Sequence, residues 1–196
     1  MARPRIHTRE EIIVSAMDYF WIHGYESSSI SKIENATGVS RSTLYNNWDD
    51  KDDLFLSVLH SYHLQGVEMM KELKLANGVN EIINFINSLK IVSPETEMHN
   101  CGCLITSTAT DVEFKNEQIQ KVIKSYHSEQ LKVFLLGLTN SNSRGELDCP
   151  MPLENAVEFI VGSLWGIFTI IRLYRNPQKV SSFIDGLVQT IESWKI

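Results

Sequence analysis

Apolar residues recur at steps of three and four along most of the chain, the spacing that gathers them on one side of a helix. Ile12, Ile13, Ala16, Met17 and Phe20 predict a first helix from Thr8 to His23. Thr8 is placed to cap it, Glu10 and Glu11 stand where the helix dipole favours acids, and Gly24 supplies the left-handed residue that commonly ends a helix. Two short helices follow. Ser28 or Ser29 caps the first, which carries Ile30, Ile33 and Ala36; Gly38 and Val39 turn the chain, and Ser40 caps the second, Arg41 to Trp48. Asp49 and Asp50 then precede a long amphipathic stretch with Leu54, Phe55, Val58, Leu59, Tyr62, Met69, Met70 and Leu73, mildly interrupted by Gly66.

Further on, Ile82, Ile83, Ile86 and Leu89 predict a fifth helix that Ser93-Pro94 ends, because proline disfavours the helical conformation in its predecessor. Cys103 to Thr110 reads as a short helix of small residues. Gln118 to Leu138 reads as a long one, with Ile119, Val122, Ile123, Tyr126, Val133 and Phe134 facing inward. Asn140 to Pro152 is polar and ends in two prolines, so a loop is expected there. Leu153 to Tyr174 is apolar almost all round, and beyond Asn176-Pro177 the residues Val180, Phe183, Ile184, Leu187, Val188, Ile191 and Trp194 form a broad stripe on a last helix. Strand-type alternation is absent and no repeat appears. The expected fold class is all-α, divided into a three-helix unit over 1–52 and a larger helical part over 53–196.

Composition narrows this picture. With 196 residues and 43% apolar content the chain can bury an ordinary core. The longest apolar run, Phe159 to Ile171, lies between Glu158 and Arg172 and falls short of the about 20 residues a membrane-spanning helix needs. A buried helix and no membrane role are expected. The basic start, Met1 to Arg9, leads directly into the first amphipathic helix where a secretory leader would carry an apolar stretch, so a cytoplasmic protein is expected. Cys101, Cys103 and Cys149 are odd in number and lack zinc-type spacing, which suits reduced thiols; neither a metal nor a cofactor is expected.

Charge cuts against a simple basic nucleic-acid-binding protein, since 18 Lys and Arg face 24 Asp and Glu for a net −6. Even within residues 1–60, Arg3, Arg5, Arg9, Lys32, Arg41 and Lys51 are outnumbered by acids, so any attraction to DNA must come from where the cations sit. The interval Ser29 to Asn47 nevertheless has the size of a helix-turn-helix unit with a glycine in its turn, in which the second helix enters the major groove. The alternative reading is an ordinary helical hairpin within a bundle.

On that geometry Ser40 presents the start of the Arg41 helix, with its free N–H groups, to a phosphate. Arg41 can pair with guanine, Ser42 lies in the same leading turn, Thr43 can meet a thymine methyl or a base acceptor, and one of Asn46 and Asn47 can pair with adenine. Tyr45, Lys51 and Ser28 or Ser29 are placed for phosphates. The arm residues Arg3 and Arg5, with Arg9, either follow the backbone and adjacent minor groove or form a solvated terminus.

The order His23-Gly24-Tyr25, Ser28-Ser29-Ile30, Thr37-Gly38-Val39-Ser40, Ser42-Thr43-Leu44-Tyr45, then Trp48, Lys51 and Leu54-Phe55, resembles the amino-terminal signature of the tetracycline-repressor family, densely over residues 5–59. Two positions depart from it: Glu34 replaces a common alanine, and Asn46-Asn47-Trp48 replaces a His and Phe pattern. The resemblance implies a helix-turn-helix DNA-binding domain followed by a helical ligand-binding and dimerisation domain. It further implies a transcriptional regulator, by family default a repressor, that leaves a palindromic operator on a small-molecule signal.

The same resemblance implies a homodimer through the last two helices, whose apolar excess at Leu164, Trp165, Phe168, Phe183, Leu187 and Ile191 otherwise reads as internal core. Middle helices would enclose the effector, with Tyr62, Met69, Phe85, Cys103, Ser107 and Tyr126 as lining candidates or plain core. Cys103 lies in a Gly-Cys-Leu segment found in one branch of the family, which raises a redox sensor against a small buried hydrophobe; with few Lys or Arg near it in sequence, the hydrophobe is favoured. Six histidines supply raw material for catalysis, but no nucleophile motif or phosphate loop accompanies them, so no catalytic residue is assigned and an enzyme is not expected. The remaining rival is a helical partner-binding protein without DNA affinity.

Overall fold

Thr8 opens the first helix as its spacing predicts, accepting from the Glu11 N–H while the Glu11 carboxylate accepts from the Thr8 N–H. The computed structural model describes residues 7–90, 100–110 and 116–196. In chain order the helices are α1 (Arg9–His23), α2 (Ile30–Thr37), α3 (Arg41–Asn47), α4 (Lys51–Glu72), α5 (Val79–Ser88), α6 (Leu104–Ala109), α7 (Glu117–Ser143), α8 (Leu153–Tyr174) and α9 (Ser181–Glu192). Among the described residues there is no strand beyond one isolated bridge, Leu147 to Lys195, so the fold is all-α. Arg3, Arg5 and the Ser93-Pro94 helix stop lie outside the described residues.

Ile12, Ala16, Met17 and Phe20 of α1 meet Ile33, Val39, Leu44 and Trp48 in one buried cluster. Burying such a side chain fully contributes about 1.5–3 kcal/mol. Ala36, expected on the inner face of α2, is exposed. The cluster continues into α4, where the Phe55 ring packs tilted against Phe20 at 4.8 Å and Tyr25 at 4.9 Å. The first turns of α4 thus belong to the core of the three-helix unit, and its later turns pack on α6 and α7. Gly38 closes α2 at φ 68°, a left-handed conformation that suits glycine.

Gly66 sits where a side chain would collide with Tyr126, 2.7 Å from its ring, so it lets α7 approach α4. Helix α7 runs five residues further than periodicity predicts, to Ser143. Its polar end is held from outside: Ser141 Oγ accepts from the Val79 N–H at 2.9 Å and donates to Glu146, and Asn140 donates to the Ala76 carbonyl. Polarity at Asn140 to Ser143 marks tertiary hydrogen bonds that prolong the helix, and the expected loop is confined to residues 144–152.

Helix α8 is 22 residues long and apolar enough, by length and composition, to cross a membrane. Its buried side, from Ala156 to Ile171, packs instead on α6, α7 and α9. Leu164, Leu187 and Ile191, expected at a subunit contact, are buried inside the protomer. Of that set only Phe183 is well exposed, with Trp165 and Phe168 half-buried. Exposed instead are Phe159, Leu173 and Tyr174, with Leu173 at 73%. Periodicity located the apolar helices, but these helices have two apolar sides and only packing tells the inner from the outer.

Candidate nucleic-acid interface

Helix α3 rests on Leu44 and Trp48, both buried, and this anchoring leaves Arg41, Ser42, Tyr45 and Asn46 exposed with Thr43 and Asn47 half-covered. The Trp48 indole N–H donates to Ser57 Oγ at 2.9 Å, which locks the end of α3 to α4. Arg41 places its guanidinium 5.5 Å from the Tyr45 ring, one turn along the same helix. Asn47 donates its amide to the Thr43 carbonyl at 2.8 Å, so of the two adjacent asparagines Asn46 is the one whose side chain is outward.

The start of α3 is not the open anion site that the sequence suggests. Ser40 Oγ accepts from the Thr43 N–H at 3.2 Å and lies 2.9 Å from both the Ser42 and Thr43 hydroxyls. Glu34 of α2 reaches across the turn and accepts from the Arg41 N–H at 2.9 Å. A carboxylate therefore occupies the positive end of this short helix, favoured by the same dipole that attracts phosphate. The side chain that departs from the family pattern serves as a cap.

Ser29 is the cap of α2 and is exposed, whereas Ser28 is buried and donates to the Gly24 carbonyl at 2.6 Å. Lys51 also turns inward: its ammonium donates to the Tyr25 carbonyl at 3.2 Å and lies 3.7 Å from the Tyr25 ring centre. Ser28 and Lys51, both placed at phosphates from sequence, hold the scaffold. Arg9 emerges in their place, with its guanidinium 4.9 Å from the Trp48 ring and its side chain exposed beside the end of α3. The sequence showed Arg9 only as part of a basic run; the long-range pairing with Trp48 had no local signal.

Two sets of hydrogen bonds tie this unit to the rest. Tyr25 donates its hydroxyl to Asp52, whose other oxygen accepts from Asn116, the cap of α7, at 3.1 Å. Burial, reinforced by the Asp52 carboxylate, pushes the Tyr25 phenol well above the usual tyrosine range, so it remains a donor. At the other side Trp21 donates to the Gly102 carbonyl at 2.9 Å, and Arg172 and Arg175 of α8 donate to the Trp21 and Ile22 carbonyls.

Only three of the six effector candidates come together. These are Tyr62, Tyr126 and Cys103, with the tyrosine rings 6.5 Å apart and burial first, then the nearby Cys103, raising both phenols. Ser107 lines a crevice of about 30 Å³ with Gly24, Tyr25, Phe55, Leu104, Thr108 and Arg172, large enough for water and too small for an organic effector. Met69 is exposed, and Phe85 packs on Phe134 at 6.3 Å in the core between α5 and α7, so neither joins them. Among the described residues no cluster of His, Cys, Asp and Glu could hold a metal ion.

Residues 12–58 match the family model described as bacterial regulatory proteins, tetR family. The chain is 27% identical over 168 residues to the HTH-type transcriptional repressor ComR of Escherichia coli, covering 81% of this chain and 76% of that one. The chain is a DNA-binding transcriptional regulator whose residues 12–58 are similar to the tetR family. Solved structures share its fold at low identity. A cysteine mutant of CifR complexed with a 26bp double-strand operator DNA superposes with a TM-score of 0.79, 20% identity and coverage of 98% of this chain and 100% of that one. FadR from Bacillus subtilis, in complex with stearoyl-CoA, gives 0.71, 19% identity and coverage of 95% and 98%. The matched segment of this regulator spans α1 to α3 and the first turns of α4, the same elements that share the Phe20, Trp48 and Phe55 core.

Proposed function

We propose that this regulator is a homodimeric repressor, acting in the cytoplasm by binding alone and without catalysis, that holds a palindromic operator through α3 and releases it when a small molecule binds. The observation that carries the reading is α3 itself, a short helix anchored by Leu44 and Trp48 that exposes Arg41, Ser42, Tyr45 and Asn46. Arg41 and Asn46 read base edges, with Ser42 and Thr43 beside them; Ser29, Tyr45 and Arg9 meet phosphates, while Ser40 caps α3. The reading unit comprises residues 1–52 and the regulatory part 53–196, with α4 shared between them. CifR, seen on operator DNA, and FadR, seen with stearoyl-CoA, support a DNA partner and an organic effector.

The dimer forms on the outer sides of α8 and α9, through Phe159, Leu173 and Phe183 with Trp165 and Phe168 at their edge, and sets two α3 helices about one DNA turn or a multiple apart. The effector enters between α4, α6 and α7, at Tyr62, Cys103 and Tyr126, with the Ser107 crevice as a separate small opening, and these helices must part to admit it. Binding energy for the widened state then comes at the expense of the DNA-fitting one.

The test is selection of sheared genomic DNA from the source organism on the purified protein, at two salt concentrations, with Arg41→Ala/Tyr45→Ala as control. Enrichment of a palindrome that the control loses is the expected result; no enrichment at low salt overturns the reading. Glu34 gives a separate prediction. Glu34→Gln keeps an acceptor for the Arg41 N–H and removes a negative charge beside the DNA-facing turn. Affinity for random duplex at low salt is expected to rise roughly 3- to 10-fold, with a steeper salt dependence. An unchanged random-duplex affinity places Glu34 away from the phosphates.

A further inference from the structure

Helix α8 carries two arginines within one turn of its C-terminal end, and both reach the reading unit. Arg172 donates to the Trp21 carbonyl at 2.9 Å and to the Cys101 carbonyl at 3.4 Å. Arg175 donates to the Ile22 carbonyl at 2.8 Å and to the Cys101 thiol. The Trp21 and Ile22 carbonyls belong to the last turn of α1, where a helix has no internal partners to offer and where positive charge suits its dipole. Trp21 completes the contact from its own side, donating to the Gly102 carbonyl.

The backbone at Arg175 adds a second, independent observation. It stands at φ 50° and ψ 33°, the left-handed residue that closes α8, a position that glycine fills most readily and a long side chain fills at a cost. Local conformation favours glycine there; the side-chain contacts to Ile22 and Cys101 favour arginine. The two residues between the arginines, Leu173 and Tyr174, are exposed on the other side of the same turn.

We propose that Arg172 and Arg175 are positioning residues: they fasten α1 to α8 and so set the separation and tilt of the two recognition helices about the dimer axis. This rests on the dimeric, DNA-binding reading above. One turn of α8 then faces the partner subunit through Leu173 and grips the reading unit through its arginines, so that half-site spacing is transmitted along a rigid helix. The contact specifies geometry and touches no base.

Arg175→Gly tests it, because it removes the grip while relieving the left-handed strain, and the protein is expected to stay dimeric with an unchanged or higher Tm. Binding is compared on the selected operator, on the same operator with one base pair inserted between half-sites, and on an isolated half-site. The variant is expected to bind the half-site as the wild type does, the native operator about tenfold more weakly, and the inserted operator with little further loss, so that discrimination by spacing collapses. Retention of wild-type discrimination overturns the proposal. A readout without DNA keeps it separate from the function itself: amide exchange in the last turn of α1 is expected to quicken about tenfold in Arg175→Gly while the first turn is unchanged. Unchanged exchange there also overturns the grip, whereas loss of operator binding by the wild type strikes only the functional reading.

Discussion

Replacing Trp48 by alanine is expected to abolish operator binding while leaving the regulatory helices folded. The indole is buried at the junction of α3 with α1 and α4, donates to Ser57 and underlies the Arg9 guanidinium. Truncating a buried aromatic of this size costs about 3–5 kcal/mol, a large share of what a small three-helix unit can contribute. Loss of Trp48 also frees the end of α3, so Arg41 and Asn46 lose their common platform. Operator affinity is expected to fall more than a hundredfold, with an early unfolding transition detected by urea titration of circular dichroism. Trp48→Phe keeps most of the volume and loses the Ser57 hydrogen bond, worth about 1 kcal/mol, so binding should largely survive. Wild-type affinity in Trp48→Ala would show that α3 does not depend on this anchor.

The second large effect concerns the outer side of α8 and α9. Glutamates in place of both Phe159 and Leu173, which are exposed on the protomer, are expected to leave its fold intact and to yield monomers by light scattering. A monomer must bind one half-site alone, and operator affinity should drop by 10²-fold or more as the linked second contact is lost. Leu164→Ala makes the contrast. Leu164 lies in the protomer core, so this change is expected to cost about 2–5 kcal/mol of stability and to affect the dimer only through the fold. A Phe159→Glu/Leu173→Glu protein that remains dimeric would remove this surface from the assembly.

The two substitutions differ in what the sequence could say about them. Trp48 stands next to an asparagine pair and near Asp49 and Asp50, a polar setting that points to a surface residue, yet the ordered motif around it marks the end of a recognition helix. Its burial follows from Ser57 and Arg9, nine and 39 positions away along the chain. Leu164 and Leu173 look alike in one largely apolar helix, and the inner and outer choice is made by α7, α6 and α9. Helix starts were legible where a side chain caps its own backbone, as Thr8, Ser40 and Asp50 do. The end of α7 was not, because Asn140 and Ser141 are satisfied from the segment around Ala76 to Val79.

Site residues divide along the same line. Arg41 and Tyr45 could be put on an outer face of α3 from sequence because an α-helix of known start presents its residues at fixed angles, whereas the choice of Asn46 over Asn47 came from the Asn47 bond to the Thr43 carbonyl. Lys51 could not, since a lysine that reaches the Tyr25 carbonyl and one that reaches solvent have the same neighbours in sequence. Glu34 at the Arg41 N–H, Asp52 between Tyr25 and Asn116, and the two α8 arginines on α1 are likewise products of chain crossing.

By itself, the sequence determined an all-α chain and a helix-turn-helix that resembles the tetracycline-repressor signature, because periodicity, capping and a gapless motif are local properties carried by adjacent residues. The tertiary structure alone decided which apolar faces are inside, which cations remain available to DNA and how the reading unit is fastened to α8. Those choices depend on the competition of distant groups for the same carbonyls, carboxylates and buried space, and that competition exists only once the chain has folded.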